Sequence, residues 1–251
     1  IRDRPYDEYK QKASICGTVV KGGALQGYLV SKRDAEKFGI KSLDDFKRDE
    51  VKKAFDANGD GKADLVACPP GWGCEKVITH HMDVYGLDPY VNQIKASYSA
   101  SMADAVARYQ AGEPVFFYTW TPNWTVNRFK PGKDVMWINV PETNPSPAQK
   151  DYKDAMVHKN VPGAVTDPIK MGFPGNDINV VANNTFLADN PAAAKMFEIM
   201  SIPFADIAAQ NAKMFEGKNT EADIERHVDE WIAAHKDTWN GWLAEARKAA
   251  K

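Results

Sequence analysis

Val115-Phe116-Phe117-Tyr118-Thr119-Trp120-Thr121-Pro122 is the stretch whose reading decides the fold. An unbroken run of apolar, aromatic and β-branched residues predicts a strand buried on both faces, and Thr121-Pro122 stops it because proline cannot donate to a ladder. Just upstream, Ser101-Met102-Ala103-Asp104 reads as the start of a helix with Val106 and Tyr109 on one face, and Gly112 fits the position past its end. Cys74 to Tyr85 places Val77, Ile78, Met82 and Tyr85 at helical spacing, and Gly86 ends that helix. Gln26-Gly27-Tyr28-Leu29-Val30-Ser31 reads as a strand, and Ser42-Leu43-Asp44-Asp45 as a capping box. Downstream, Ile178-Asn179-Val180-Val181-Ala182-Asn183 is a further strand, and Asn190-Pro191 opens a helix that Pro203 interrupts. Thr220-Glu221-Ala222-Asp223 opens another, with Ile224, Val228, Trp231, Ile232 and His235 on one face. Trp231, Trp239 and Trp242 are read there as core or docking residues. Pro141 to Pro174 has no clear period and is read as a surface connection. Helices and strands alternate, which predicts an α/β fold with the sheet covered on both faces.

Composition narrows the function. The 251 residues carry 32 Lys+Arg against 34 Asp+Glu, a net charge of -2, and that near balance removes the strongest argument for a nucleic-acid or anionic-membrane partner. No apolar run approaches the roughly 18 to 20 residues of a membrane span, so membrane insertion is not expected. Ile1-Arg2-Asp3-Arg4-Pro5 lacks an initiator Met and a signal-peptide pattern, so the chain reads as processed or cut from something longer. The sequence carries no G-x-S-x-G elbow, H-E-x-x-H motif, Walker loop or G-x-G-x-x-G after a strand, and no catalytic residue is assigned. His80 and His81 are adjacent on a helix, where neighbours do not share a face, and are read as surface and groove residues.

Cys68 and Cys74 bracket Pro69-Pro70-Gly71-Trp72-Gly73. Their spacing does not match a C-x-x-C zinc or redox motif. A small structural disulfide in an oxidising compartment is one reading, and two reduced buried thiols the other. Cys16, in an apolar β-branched run, is expected to be a buried free thiol. A secreted thiol oxidoreductase using Cys68 and Cys74 is the enzyme-class alternative, and it requires a low-pKa thiolate beside a cation. Asp56, Asn58, Asp60 and Asp64 alternate as in a calcium loop, with Gly61 at the sixth position, but Ala67 stands where the bidentate Glu belongs. Structural calcium and an Asx-rich turn both remain open.

Two segments carry binding chemistry. Gly71-Trp72-Gly73-Cys74 precedes a helix, where free N–H groups at Gly73, Cys74 and Glu75 and the helix dipole favour a carboxylate. Trp72 then presents its ring beside that anion site, or else packs into the core. Tyr118 to Trp124 gathers aromatics at a strand end, where α/β proteins bind ligands. A quaternary ammonium has no N–H, so indole and phenol faces are what recognise it. Together the segments suit a small zwitterion with a methylated cationic head and a carboxylate tail; aromatic core filling is the plain alternative.

Gln26-Gly27-Tyr28-Leu29, Phe55 to Asp64, Cys68 to Cys74, Tyr118-Thr119-Trp120-Thr121-Pro122, Lys130-Pro131-Gly132-Lys133-Asp134-Val135 and Asn190-Pro191-Ala192-Ala193-Ala194-Lys195 resemble the glycine betaine-binding proteins of ProU-type ABC transporters. The likeness runs from about Gly23 to the C-terminus. It implies a periplasmic binding protein of the two-lobe type II α/β fold, not an enzyme, that needs no cofactor and delivers glycine betaine or proline betaine to transporter membrane subunits. Choline or another methylated cation is the alternative ligand. The lobes are expected at 34–174 and at 1–33 with 175–251. Trp72 and Trp120 match two of the family's three cage tryptophans, Gly73 and Cys74 match its carboxylate-binding amides, and the Cys68–Cys74 bridge is likewise similar. The third tryptophan and a carboxylate-binding histidine belong to an upstream segment not in this sequence, which implies an incomplete first lobe. Cys16 has no counterpart there, and residues 145–168 read as longer than usual.

Overall fold

The computed structural model describes residues 11–250. The chain groups into two compact units, one holding residues 11–24, Pro122–Trp124 and 176–250, the other Leu25–Thr121 and Thr125–Gly175. We call them the terminal unit and the sheet unit.

In chain order, β1 (Ala13–Ala24) belongs to the terminal unit. The sheet unit follows with β2 (Gln26–Ser31), α1 (Lys32–Phe38), a 3-10 turn at Leu43–Lys47, α2 (Asp49–Ala54), β3 (Ala63–Val66), α3 (Gly73–Val84), β4 (Val91–Ile94), α4 (Tyr98–Gln110) and β5 (Phe116–Trp120). After Pro122–Trp124 it continues with α5 (Thr125–Arg128), β6 (Val135–Ile138), a 3-10 segment at Pro147–Met156, β7 (Val157–His158) and β8 (Ile169–Lys170). The terminal unit resumes with β9 (Asn176–Asn183), α6 (Asn184–Asp189), α7 (Pro191–Ile199), α8 (Phe204–Phe215), α9 (Glu221–Ala234) and α10 (Lys236–Ala249).

The sheet unit is built on five strands in the order β4-β3-β5-β2-β6. β3 runs parallel to β4 and β5, and β2 antiparallel to β5 and β6. Phe116, Phe117, Tyr118 and Thr119 of β5 are all buried, so consecutive side chains meet cover on both faces, as the apolar run demands. Phe46 stacks on Phe116 at 4.0 Å on one side, and Phe117 meets Phe129 at 5.0 Å on the other register. Ser42 closes the expected capping box with Asp45. Residues 141–174 do more than wrap the surface: Met156, Ile169, Met171 and Phe173 are buried, and β7 pairs with β8.

In the terminal unit β1 and β9 form an antiparallel ribbon. Gly17 lets β1 lie against α7, since a Cβ there would overlap the Phe197 carbonyl oxygen. Cys16 is free, as expected, but half-buried rather than buried. A two-stranded ribbon covers its side chains only in part: Ile15 and Val181 in the same ribbon are 53% and 41% exposed. α9 carries its apolar face as the periodicity predicts, and Trp231, Trp239 and Trp242 line an apolar cavity of about 630 Å³ against α8 and α10.

His81 is a correction. It is fully buried, with Nδ1 2.8 Å from the Tyr28 hydroxyl and its ring against Phe173 and Tyr85. It shares the buried face of α3 with Val77, Ile78 and Met82, so the helical period that identified the core face also included it. His80, one position round the helix, is half-buried and bonds to the Asn144 carbonyl oxygen.

Candidate functional site

Parallel neighbours β4, β3 and β5 end on the same edge of the sheet, and each delivers an aromatic residue there. The loop after β3 carries Trp72, the connection after β4 leads to Tyr98, and β5 ends on Trp120. This is the edge at which α/β sheets bind ligands. The Trp72 and Trp120 rings lie 5.6 Å apart with their planes at 69°. The two indoles thus meet edge to face, and a cation over the face of either one has the other ring as a near neighbour.

The alternatives left open for Trp72 separate here. It is 42% exposed, which is not the environment of a core indole. Gly71 takes a φ of 88°, the left-handed region glycine favours, and turns the chain into Trp72 as the residue capping α3. The loop is closed by a Cys68–Cys74 disulfide, with Cys68 fully buried and the Cα atoms 6.0 Å apart.

The helix start is only partly as expected. Among the described residues the N–H groups of Gly73 and Cys74 find no acceptor, but that of Glu75 donates to the Trp72 carbonyl oxygen at 3.1 Å. The first turn tightens in 3-10 fashion and removes Glu75 from the expected donor set. Glu75 instead points its carboxylate at Lys95, 2.6 Å away, and that hydrogen bond holds its pKa below the usual carboxylate range. Lys95 thus offsets the negative charge of Glu75 beside the helix start.

Trp124 belongs to the terminal unit, where its ring stacks on Phe215 of α8 at 3.4 Å. Tyr98, which the sequence reading did not single out, joins the pair, 5.0 Å from Trp120 and 6.1 Å from Trp72. The helix reading began at Ser101, whereas α4 begins at Tyr98 after Ser97. Ser97, Ser99 and Ser101 are all plausible caps by type, and Ser97 makes no side-chain capping bond that would have distinguished it.

The calcium reading is not supported. Asp56 accepts from the N–H groups of Gly59, Asp60 and Gly61, and Asp64 from those of Ala57 and Asn58 and the amides of Asn58 and Asn92. The carboxylates are spent on an Asx-turn network, and no cluster of three metal-ligating side chains occurs among the described residues.

The sheet unit thus carries an aromatic pair at its strand-end edge and two N–H groups without an acceptor at a helix start. The chain belongs to the family described as the substrate binding domain of the ABC-type glycine betaine transport system, which matches residues 4–234. It is 45% identical over 233 residues to the glycine betaine/proline betaine-binding periplasmic protein of Escherichia coli (strain K12), covering 93% of this chain and 68% of that one. It is 46% identical, with the same coverage, to the glycine betaine-binding periplasmic protein OusX of Dickeya dadantii (strain 3937). The chain is, like these relatives, a periplasmic transport protein. Its fold is similar to lactococcal OpuAC in its closed-liganded conformation complexed with glycine betaine, with a TM-score of 0.62 at 16% identity over 95% of this chain and 74% of that one. An ABC-transporter choline binding protein in complex with choline gives 0.61 at 15% identity, over 96% of this chain and 69% of that one. No described helix is long and apolar enough to cross a membrane.

Proposed function

We propose that the chain binds glycine betaine or proline betaine for an ABC importer and passes it to the membrane subunits without chemistry of its own. Trp72 and Trp120 would hold the quaternary ammonium by cation–π contact, and the Gly73 and Cys74 amides the carboxylate. The carrying observation is the meeting of two indoles 5.6 Å apart with two unspent N–H donors directly after Trp72. Each half of the zwitterion then finds the group that suits it. A methylated cation offers no hydrogen bond and needs a π face; a carboxylate needs donors aimed by a helix start. No cofactor enters this reading. The thiol oxidoreductase alternative needs a free low-pKa thiolate, whereas Cys68 is fully buried and bonded to Cys74.

Calorimetric titration of Trp72→Ala and Trp120→Ala tests the site. Each should bind glycine betaine about tenfold more weakly or worse, since one ring contributes on the order of 1 to 2 kcal/mol. Unchanged affinity in both variants would remove the assignment.

A further inference from the structure

We propose that Tyr98 is a positioning residue that backs the Trp72–Trp120 pair and holds it in shape before ligand arrives. The proposal rests on the betaine-binding reading of that pair. Trp72 sits on a glycine-flanked loop and is 42% exposed, so its ring has little packing to fix it. Among the described residues its ring contacts are with Tyr98 and Trp120. Tyr98 also meets Trp120, at 5.0 Å, so one phenol ring touches both indoles.

Tyr98 is itself held. It is only 5% exposed, and its hydroxyl donates to the Tyr118 carbonyl oxygen at 2.9 Å. Tyr118 lies two residues before Trp120 on β5, so this bond ties the start of α4 to the strand that carries the second indole. Burial pushes the phenol's pKa up, which keeps the donor proton in place. Its hydroxyl is turned inward and its ring is covered, so Tyr98 acts through the tryptophans and not on the ligand. A pair held in advance loses less rotamer freedom on binding, and the affinity gained is a preorganisation effect.

The test uses the full chain with Tyr98→Phe and Tyr98→Leu, and Tyr98→Met in place of the leucine variant if thermal unfolding shows that it does not fold. The first readout needs no ligand: the part of the far-ultraviolet indole exciton couplet that Trp72→Phe removes. Tyr98→Leu should remove the same part, and Tyr98→Phe should keep it. The second is titration with glycine betaine and choline, which share the trimethylammonium group. Tyr98→Leu should weaken both by about tenfold, and Tyr98→Phe by no more than about twofold. A couplet kept in Tyr98→Leu overturns the proposal whatever the affinity does. A phenylalanine variant as weak as the leucine variant overturns it too, because then the ring is not what matters. If the unsubstituted chain binds no glycine betaine, the ligand reading falls while the couplet comparison still decides the part played by Tyr98.

Discussion

His81 is where a single side chain decides a pH dependence. Burial, then the neighbouring His80, lowers its pKa from 6.5 to about 3, against a smaller opposing contribution from the Gly172 backbone. A depressed folded-state value means that the neutral imidazole stabilises the fold fully above pH 6.5, and that this stability is lost as pH falls towards 3. Denaturant unfolding between pH 7 and pH 4 should show a loss of about 3 kcal/mol from this group alone. His81→Gln, which does not titrate, should be less stable at pH 7 but show a shallower fall; an equal fall would place the titration elsewhere. The helical period places His81 on the face of Val77, Ile78 and Met82, but a sequence does not show that Tyr28, 53 residues away, supplies the hydroxyl that lets an imidazole sit in that core. Trp72 and Trp120 were legible for a different reason: flanking glycines, a cysteine bracket and a strand end are all local signals.

Elements set where those residues stand. The Cys68–Cys74 bridge closes the loop that carries Trp72, so reduction, or Cys68→Ser with Cys74→Ser, should weaken glycine betaine binding several-fold by titration. Equal affinity in oxidised and reduced chain would mean that the α3 start alone holds the loop. Gly17→Ala should lower the melting temperature, because its Cβ would meet the Phe197 backbone and β1 would have to move off α7. Overpacking of this kind costs on the order of 1 to 3 kcal/mol, and an unchanged melt would contradict the packing described. By contrast, a Cβ at Gly22 meets nothing within 4 Å, so its substitution would report only the cost of a φ of 66°. Strand β5 was readable because its apolar run is unbroken, and helix α9 because its period is strong. β4 and the true start of α4 were not, because Val91–Ile94 is short and three serines compete to cap the helix beyond it. Tyr98 was missed with that boundary.

At the scale of the whole molecule, near-neutral charge and two α/β units suit a carrier of a small polar ligand, not of a polymer. The apolar face of α9 shows the limit of a pattern argument. Its period was plain, yet Ile224 and Val228 remain 38% and 50% exposed, and no period tells what covers a face. The calcium-like loop shows the converse, a ligand pattern whose carboxylates the backbone itself consumes. As proposed, the Trp72–Trp120 pair would read positive charge on a methylated head, beside amides that would read the carboxylate. Calorimetric titration of glycine betaine against 3,3-dimethylbutanoate, which has the same shape and carboxylate but carbon in place of the ammonium nitrogen, tests this most directly. With two indole faces contributing about 1 kcal/mol each, glycine betaine should bind more tightly by a factor of about thirty or more. Equal affinities, or no binding of glycine betaine at all, would contradict the account.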